Sequence, residues 1–230
     1  MTGRGYRFGP VVEGDGVRFR LWAPALAEVR VVVDPGGADE RVHALEPHAD
    51  GWHEALVPDT RPGTRYLFDV DGLRVPDPAS RFQPEDALGP SEVVDTAAFA
   101  ERARTWRGRP WAETVLYELH VGTFTATGDY AGIAAKLDHL VEAGVTAVEL
   151  MPLADFPGGH NWGYDGVLPF APDGAYGRPE DLVRLIDAAH AKGLMVFLDV
   201  VYNHFGPEGN FLGAYAPAFF TDDWHTPWGQ

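Results

Sequence analysis

The chain has 230 residues, of which 45% are hydrophobic, and this is enough for one large domain or two small ones. Its formal net charge of −16 disfavours contact with a phosphate backbone or an anionic membrane surface, whereas a neutral ligand such as a sugar is unaffected. It contains no cysteine, which excludes disulfides, thiolate catalysis and zinc sites built from Cys.

The first residues, MTGRGYR, contain no apolar stretch of the length found in signal peptides. No segment approaches the ~20 consecutive apolar residues that a membrane-spanning helix needs. We therefore expect a cytoplasmic protein whose partners include neither nucleic acid nor a membrane. The sequence does not indicate an oligomeric state.

Short segments before residue 95 alternate apolar with polar residues. The apolar positions are Val17, Phe19 and Leu21, then Val29, Val31 and Val33, then Tyr66, Phe68 and Val70. The last segment runs into Asp71-Gly72, a dipeptide typical of tight hairpin turns. This spacing predicts an all-β immunoglobulin-like sandwich over residues 1–95. Residues 96–113 are predicted to be a linker with a short helix over Ala97–Arg104.

From residue 114 to 230 the predicted elements lengthen and alternate. Strands are predicted over Val115–Val121, Ala147–Pro152 and Leu194–Leu198. The first helix carries Ile133, Leu137, Leu140 and Val141 at helical spacing before Gly144; the second starts at Pro179 and buries Leu182, Leu185, Ile186 and Ala189 before Gly193. The third strand is a nearly continuous apolar run, which predicts burial on both faces.

This β-α-β-α-β order fits either a doubly wound sheet or the opening of a (β/α)8 barrel. No glycine-rich phosphate loop follows the first strand, which disfavours nucleotide binding. In both architectures a ligand binds at the carboxyl ends of the strands. The candidate positions there are His120 and Thr123, the long loop 153–178, and the segment from Asp199 to His204.

Asp199 interrupts an apolar run where a buried strand should end, and a buried carboxylate is costly unless it is paired. Asp199 could still be a turn-capping residue, and His204 taken alone could be structural. Asn203 and His204 lie just beyond Asp199 and favour a functional site at this edge. These three residues offer metal ligands, but no second acidic cluster accompanies them, so no metal or other cofactor is predicted.

Trp162 and Tyr164 lie in the glycine-rich stretch GGHNWGYDG, from Gly158 to Gly166. Aromatic residues in such a loop can form a small local core. Alternatively, they can provide a flat surface on which the apolar face of a sugar ring packs. Aromatic loop residues beside polar strand ends therefore indicate a neutral carbohydrate ligand.

Several motifs resemble the α-amylase superfamily, glycoside hydrolase family 13. The stretch DVVYNH, from Asp199 to His204, is similar to the first family motif at the end of the third barrel strand. The stretches YELHVGTF from Tyr117, GVTAVELMP from Gly144 and NWGYDG from Asn161 resemble the branch that includes trehalohydrolases, glycogen branching enzymes and debranching enzymes. The run NHFGPEGN from Asn203 is most similar to the trehalohydrolases. The sandwich resembles that branch's carbohydrate-binding module.

The resemblance implies a retaining glycoside hydrolase that acts on α-glucans, most specifically on maltooligosyltrehalose at the α-1,4 bond next to its terminal trehalose. It further implies that Trp162, Tyr164, Asp165 and His204 bind substrate. Asp199 would support the catalytic centre, and Asn203 would have a role in loop structure.

The family's nucleophile and general acid follow strands four and five, which the sequence does not show. We therefore expect the chain to be a fragment, truncated after strand three and inactive alone, whose last residues from Thr226 to Gln230 lie within a loop. A branching or debranching enzyme fragment, a non-catalytic glucan-binding protein using Trp22 and Trp52, and a non-functional remnant stay open as alternatives.

Overall fold

The structure is a computed structural model that describes residues 8–100, 106–221 and 223–225. The N-terminal residues 1–7 and the expected loop end at residues 226–230 lie outside the described residues. Within the described ranges, no helix is both long and apolar enough to cross a bilayer.

Two antiparallel sheets pack face to face in the N-terminal part. The strands are β1 (Val11–Glu13), β2 (Gly16–Trp22), β3 (Val29–Val33), β4 (Arg41–Ala44), β5 (Glu46–Pro47), β6 (Trp52–Pro58), β7 (Arg65–Val70), β8 (Leu73–Val75) and β9 (Ser91–Glu92). One sheet has the order β1-β2-β6-β5, and the other has the order β4-β3-β7-β8 with β9 paired to β7. The predicted sandwich is therefore confirmed.

The alternation in the sequence directs one face of each strand into a shared core. Phe19 on β2 and Tyr66 on β7 are fully buried, and their ring centroids lie 4.8 Å apart between the two sheets. Asp71 and Gly72 both have positive φ values, 56° and 82°, as a tight two-residue hairpin turn requires. The turn therefore joins β7 to β8 where the sequence predicts it.

The connecting segment contains the short helix α1 (Ala97–Ala100). The predicted helix extends to Arg104, but residues 101–104 lie outside the described residues. Farther on, Arg109 Nη1 donates a hydrogen bond to the carbonyl of Gly193, at a distance of 3.1 Å. This contact ties the end of the connecting segment to the loop before the third parallel strand.

Strands and helices alternate in the remainder of the chain. They are β10 (Leu116–Leu119), α2 (Val121–Phe124), α3 (Tyr130–Ala134), α4 (Leu137–Glu142), β11 (Ala147–Leu150), β12 (Ala154–Asp155), β13 (Leu168–Pro172), α5 (Pro179–Ala191), β14 (Met195–Leu198) and α6 (Leu212–Tyr215). The strands β10, β11 and β14 form a parallel sheet in that order. This is the strand order of a barrel opening, as predicted.

The first predicted helix is wrong in two respects. It is divided into α3 and α4, because Lys136 adopts φ −107° and ψ 0° and the helix restarts after it. Val141 is 41% exposed and lies outside the core, while Leu137 and Leu140 are buried as predicted. The first strand is also shorter than predicted, since Val121 begins a helical turn.

The predicted burial of the third strand on both faces is also wrong. Leu198 is 51% exposed, and Val196 and Phe197 are only half-buried. The strand β14 is an edge strand of the described sheet, and α5 packs against it from one side. Hydrophobicity along a strand does not reveal how many neighbours cover it.

Candidate active site at the strand ends

The segment between β11 and α5 follows a strand's carboxyl end and is more ordered than a plain loop. The antiparallel pair β12 and β13 forms its base, and a short 3-10 helix at Gly174–Tyr176 closes it. Sequence reasoning missed this pair because β12 has two residues and β13 contains two prolines, which disfavour a strand. The pair supports the stretch that carries Trp162 and Tyr164.

Gly163 fixes the path of the chain between Trp162 and Tyr164. Its φ is +93°, and a Cβ atom at this position would lie 2.0 Å from the carbonyl oxygen of Pro152. The backbone N–H of Gly163 donates to Asn161 Oδ1 at 2.8 Å. Only glycine permits this close approach, so the loop is held directly against the end of β11.

The structure places Tyr164, Asp199 and His204 together at this edge of the sheet. The Tyr164 hydroxyl donates to Asp199 Oδ2 over 3.4 Å, and His204 Nε2 lies 3.0 Å from the Tyr164 carbonyl oxygen. Burial and the nearby Asp199 carboxylate both raise the pKa of Tyr164. The phenol therefore remains a neutral hydrogen-bond donor.

Asn203 and His204 form a hydrogen-bonded unit. Asn203 Nδ2 lies 3.0 Å from His204 Nδ1, so the amide donates and the imidazole accepts at that nitrogen. Because a carbonyl oxygen can only accept, Nε2 carries the proton that is donated to the Tyr164 carbonyl. Asn203 thus fixes the tautomer and the orientation of His204.

Asp165 is exposed and does not pair with Asp199 in the described contacts. Its Oδ2 accepts a hydrogen bond from Asn161 Nδ2 at 2.6 Å. Its backbone carbonyl packs on Gly206, where a Cβ atom would lie 1.9 Å from the oxygen. Asp199 is half-buried rather than buried, which corrects the expectation drawn from the apolar run before it.

Trp162 is 71% exposed, so it does not belong to a local core. The adjacent Asn161 carbonyl accepts hydrogen bonds from His120 Nε2 at 2.8 Å and from the Tyr176 hydroxyl at 3.2 Å. A cavity of about 600 Å³ opens between Trp162 and Thr123. Sequence reasoning found His120 from its strand-end position but missed Tyr176, which gives no motif signal.

A buried pair of acidic residues lies beneath the loop. Asp155 is 1% exposed, and its Oδ1 has no hydrogen-bond partner among the described residues. Burial, followed by the charges of Asp173 and Asp86, raises the pKa of Asp155 to about 8. Burial also raises the pKa of Asp173 to about 6, although this carboxylate accepts N–H groups from Ala175 and Phe156. Asp155 therefore carries its proton at neutral pH.

The described residues contain no group of three or more His, Asp or Glu side chains able to hold a metal ion. The donors Asp199, Asn203 and His204 are instead engaged with Tyr164 or with one another. Their arrangement can bind and orient a hydroxylated ligand. In the described contacts Asp199 is bonded to Tyr164 and not to a second carboxyl group.

An ionic contact links this site region to the sandwich. Arg178, at the start of α5, donates to Glu92 on β9 over 2.5 Å, and Arg65 on β7 approaches the same carboxylate at 3.3 Å. Glu92 is almost fully buried. The end of the long loop is therefore held against the sandwich.

Comparison with known proteins agrees with this architecture. Residues 94–227 match the model of the alpha-amylase catalytic domain, and residues 7–82 match carbohydrate-binding module 48, the isoamylase N-terminal domain. A crystal structure of an α-amylase-type protein from Salmonella typhimurium has a TM-score of 0.89 and 47% identity, covering 96% of this chain and 38% of that one. A Paenibacillus barengoltzii pullulanase shares the fold, with a TM-score of 0.81 at 24% identity over 98% of this chain and 42% of its own.

Two curated relatives of this chain have the same name and therefore indicate a more specific group than the family models do. A malto-oligosyltrehalose trehalohydrolase from Deinococcus radiodurans is 50% identical over 221 residues, which are 96% of this chain and 36% of the relative. Another from Saccharolobus solfataricus is 41% identical over 223 residues, or 96% of this chain and 39% of the relative. The chain thus spans somewhat more than a third of the length of these relatives.

The resemblance inferred from the motifs is confirmed by these matches. The parallel strands β10, β11 and β14, with the Tyr164, Asp199 and His204 cluster at their carboxyl ends, fall within the matched catalytic-domain segment. The chain therefore belongs to the α-amylase family, with a carbohydrate-binding module 48 ahead of its catalytic-domain segment.

Proposed function

We propose that this chain provides the sandwich and the first three barrel strands of a retaining glycoside hydrolase that releases trehalose from maltooligosyltrehalose. The bond cleaved is the α-1,4 bond next to the terminal trehalose. One observation carries the proposal: the Tyr164, Asp199 and His204 cluster lies in a chain that is 50% identical to a relative named for this activity.

In this proposal Tyr164 presents its ring to the sugar at the cleaved bond, and Trp162 offers a second exposed aromatic face. Asp199 holds the Tyr164 hydroxyl. Both ring nitrogens of His204 already have protein partners, so we assign it first to orienting Tyr164. Contact between His204 and a sugar hydroxyl would require the Asn203 amide to turn away. Asp165 acts at the loop through Asn161.

Retaining hydrolysis requires two carboxyl groups about 5–5.5 Å apart across the scissile bond. Asp165 and Asp199 are each engaged with a different residue, Asn161 and Tyr164 respectively, and neither is presented as one of such a pair. We therefore propose that residues 1–230 alone release no trehalose, and that the nucleophile and general acid lie outside this sequence.

The domain limits are part of the same proposal: a carbohydrate-binding module at residues 1–95, a linker at 96–113 and the barrel segment at 114–230. The ligand is an α-glucan, for which a module of this family and a glycosidase-type segment in one chain provide the support. A cytoplasmic location and the absence of nucleic-acid and membrane partners stay predictions from the sequence.

A chimera tests the proposal directly. This chain replaces the 221 aligned residues of the Deinococcus radiodurans relative, and trehalose release from maltooligosyltrehalose is measured. We expect release by the chimera and none by residues 1–230. His204→Ala should lower kcat/KM of the chimera about fivefold or more, or ~1 kcal/mol. The exposed His139 on α4 provides the matched control, and His139→Ala should leave kcat/KM unchanged.

A branching enzyme is the second candidate, because a 1,4-alpha-glucan branching enzyme from Bordetella pertussis is 36% identical over 213 residues. A second chimera, in which this chain replaces the 213 aligned residues of that branching enzyme, is assayed on linear glucan to distinguish the two. New branch points without trehalose release would favour the branching enzyme. Glucan binding by residues 1–230, together with an inactive chimera, would instead favour a non-catalytic glucan-binding protein.

A further inference from the structure

A second cavity, of about 250 Å³, lies between the sandwich and the loops of the barrel segment. Its sandwich wall includes Trp22 on β2 and Trp52 on β6, which are direct partners in the register of these two strands. Phe170 on β13 and Phe219, beyond α6, stand on the barrel side. The cavity is therefore distinct from the Tyr164 site and belongs to both parts of the chain.

Aromatic side chains pack edge to face around this cavity, both within the sandwich and between the two parts. The Phe8 and Trp52 ring centroids are 5.4 Å apart at an interplanar angle of 64°, and those of Trp22 and Phe219 are 5.7 Å apart at 69°. Phe8 also stacks on Phe170 at 6.2 Å and is half exposed, so it marks the solvent side of the cavity. A flat aromatic ligand could continue this edge-to-face packing.

Four polar side chains in the wall already have protein partners. Arg20 Nε donates to Glu54 at 2.9 Å, and Trp22 Nε1 donates to the Asp50 carbonyl at 3.1 Å. Asp77 accepts from the Tyr66 hydroxyl at 2.7 Å and from Ala79 N at 2.8 Å. Asn210 Oδ1 accepts from Leu212 N at 3.1 Å. Each of these four side chains therefore makes at least one hydrogen bond within the protein, and most of the other residues that line the cavity are apolar. A ligand rich in hydroxyl groups would lose its hydration here and gain little in return.

Apolar walls of this kind favour an apolar guest. An engineered cavity of about 150 Å³ lined by apolar side chains stays dry and binds benzene. The present cavity is larger and has room for one substituted ring. We propose that it is a binding site for a small uncharged molecule built around a single aromatic ring, and not a further site for glucan.

Three compounds test this proposal. Toluene is the apolar probe, phenol is a more polar molecule of similar shape, and maltose represents a sugar ligand. Toluene at about ten times its Kd should raise the Tm of the 230-residue chain by about 3 °C. Phenol should raise it less, and maltose should not displace toluene in ligand-observed NMR. The absence of a toluene shift, or displacement of toluene by maltose, would overturn the proposal.

Two variants test whether the rise in Tm caused by toluene comes from binding in this cavity. Ala79 lines it, so Ala79→Leu should fill it and remove the toluene shift, while Ala44→Leu on the exposed face of β4 is the matched control and should keep the shift. If Ala79→Leu fails to fold, Phe170→Ala removes part of the wall and should weaken toluene binding about tenfold. An unchanged toluene affinity in Phe170→Ala would place the ligand elsewhere and contradict the proposal.

Discussion

In the sandwich, both sheets contribute to one core and Phe19 and Tyr66 are fully buried, whereas Leu116, Tyr117 and Leu198 of the parallel sheet remain 43–51% exposed. The helices α3, α4 and α5 supply much of the cluster that covers the other side of the parallel sheet. Burial of apolar surface is the main stabilising contribution to folding. The sandwich should therefore be the more stable of the two regions.

The two regions also differ in how they bury a carboxyl group, since Asp77 and Asp155 are both 1% exposed. Asp77 accepts from Tyr66 and from the Ala79 backbone, and burial raises its pKa to about 6. Asp155 keeps an oxygen without a partner, and its pKa rises to about 8. The buried carboxyl group of the sandwich therefore has more hydrogen-bond partners than that of the site segment.

The same substitution, leucine to alanine, made once in each region tests the difference in stability between the sandwich and the parallel sheet. Leu21→Ala removes a core side chain of the sandwich that is 2% exposed, and we expect it to lower the free energy of unfolding by about 2–5 kcal/mol. Leu198→Ala in the parallel sheet should cost less than about 1 kcal/mol, because this side chain is half exposed. Urea unfolding followed by circular dichroism measures both. Equal losses of the free energy of unfolding in the two variants would show that the exposed side of the parallel sheet is covered in solution.

The buried carboxyl group of Asp155 should make stability depend on pH. Because its pKa is raised on folding, the folded state holds the proton more tightly, and the free energy of unfolding falls as pH rises toward about 8. Between pH 6 and 8 the slope should reach about 1.4 kcal/mol per pH unit. Asp77 and Asp173, each with a pKa of about 6, act mainly below this range.

Asp155→Asn should remove this slope, and urea unfolding at pH 6, 7 and 8 measures it. The exposed Asp39 provides the control, since Asp39→Asn should leave the slope as it is in the original chain. A slope that survives in Asp155→Asn would show that another titrating group causes it and would contradict the assignment to Asp155.

Two buried tyrosines offer a subtler comparison. The Tyr66 hydroxyl donates to Asp77, whereas the Tyr130 hydroxyl has no partner among the described residues. Tyr66→Phe should cost about 1–3 kcal/mol because it leaves the Asp77 oxygen without a donor. Tyr130→Phe should be neutral or slightly stabilising. Thermal unfolding of the two variants compares them, and a large loss in Tyr130→Phe would contradict the contrast between the regions.

The smallest effect concerns the contact between the regions. Arg178 is partly exposed, so Arg178→Ala should cost less than about 1 kcal/mol despite its contact with the buried Glu92. The change should still separate the unfolding of the two regions in a calorimetric scan. Arg184→Ala on the solvent side of α5 is the control. A single sharp transition in Arg178→Ala would show that the remaining contacts are sufficient to couple the regions.

Much of this fold follows from local patterns. Alternation located β2, β3 and β7, and the Asp71-Gly72 dipeptide located the turn after β7. The exposure of Leu198 could not be predicted, because it depends on which strands lie beside β14 in space. Hydrophobicity likewise gave no sign that Val141 faces solvent. Residues 133–139 contain no glycine or proline, so the sequence does not predict the break in the helix at Lys136.

The sequence predicts part of the site, because the carboxyl ends of parallel strands lie at the same edge of a sheet. That rule brings the regions of Tyr164 and Asp199 together before any coordinates are known. The contact between His204 and the Tyr164 backbone depends on the path of two loops, which no spacing rule describes. The same is true of Asp155, whose orphan oxygen results from the packing of β12 under the loop.

The close backbone contacts at Gly163 and Gly206 limit how the site can be redesigned. A methyl group at either position would lie within about 2 Å of a carbonyl oxygen, on Pro152 or on Asp165, and a main chain cannot move aside as a side chain does. Libraries that seek a new glycan preference should therefore leave both glycines fixed. Diversity is better introduced at the exposed neighbours His160 and Trp162, where the backbone leaves side chains free to vary.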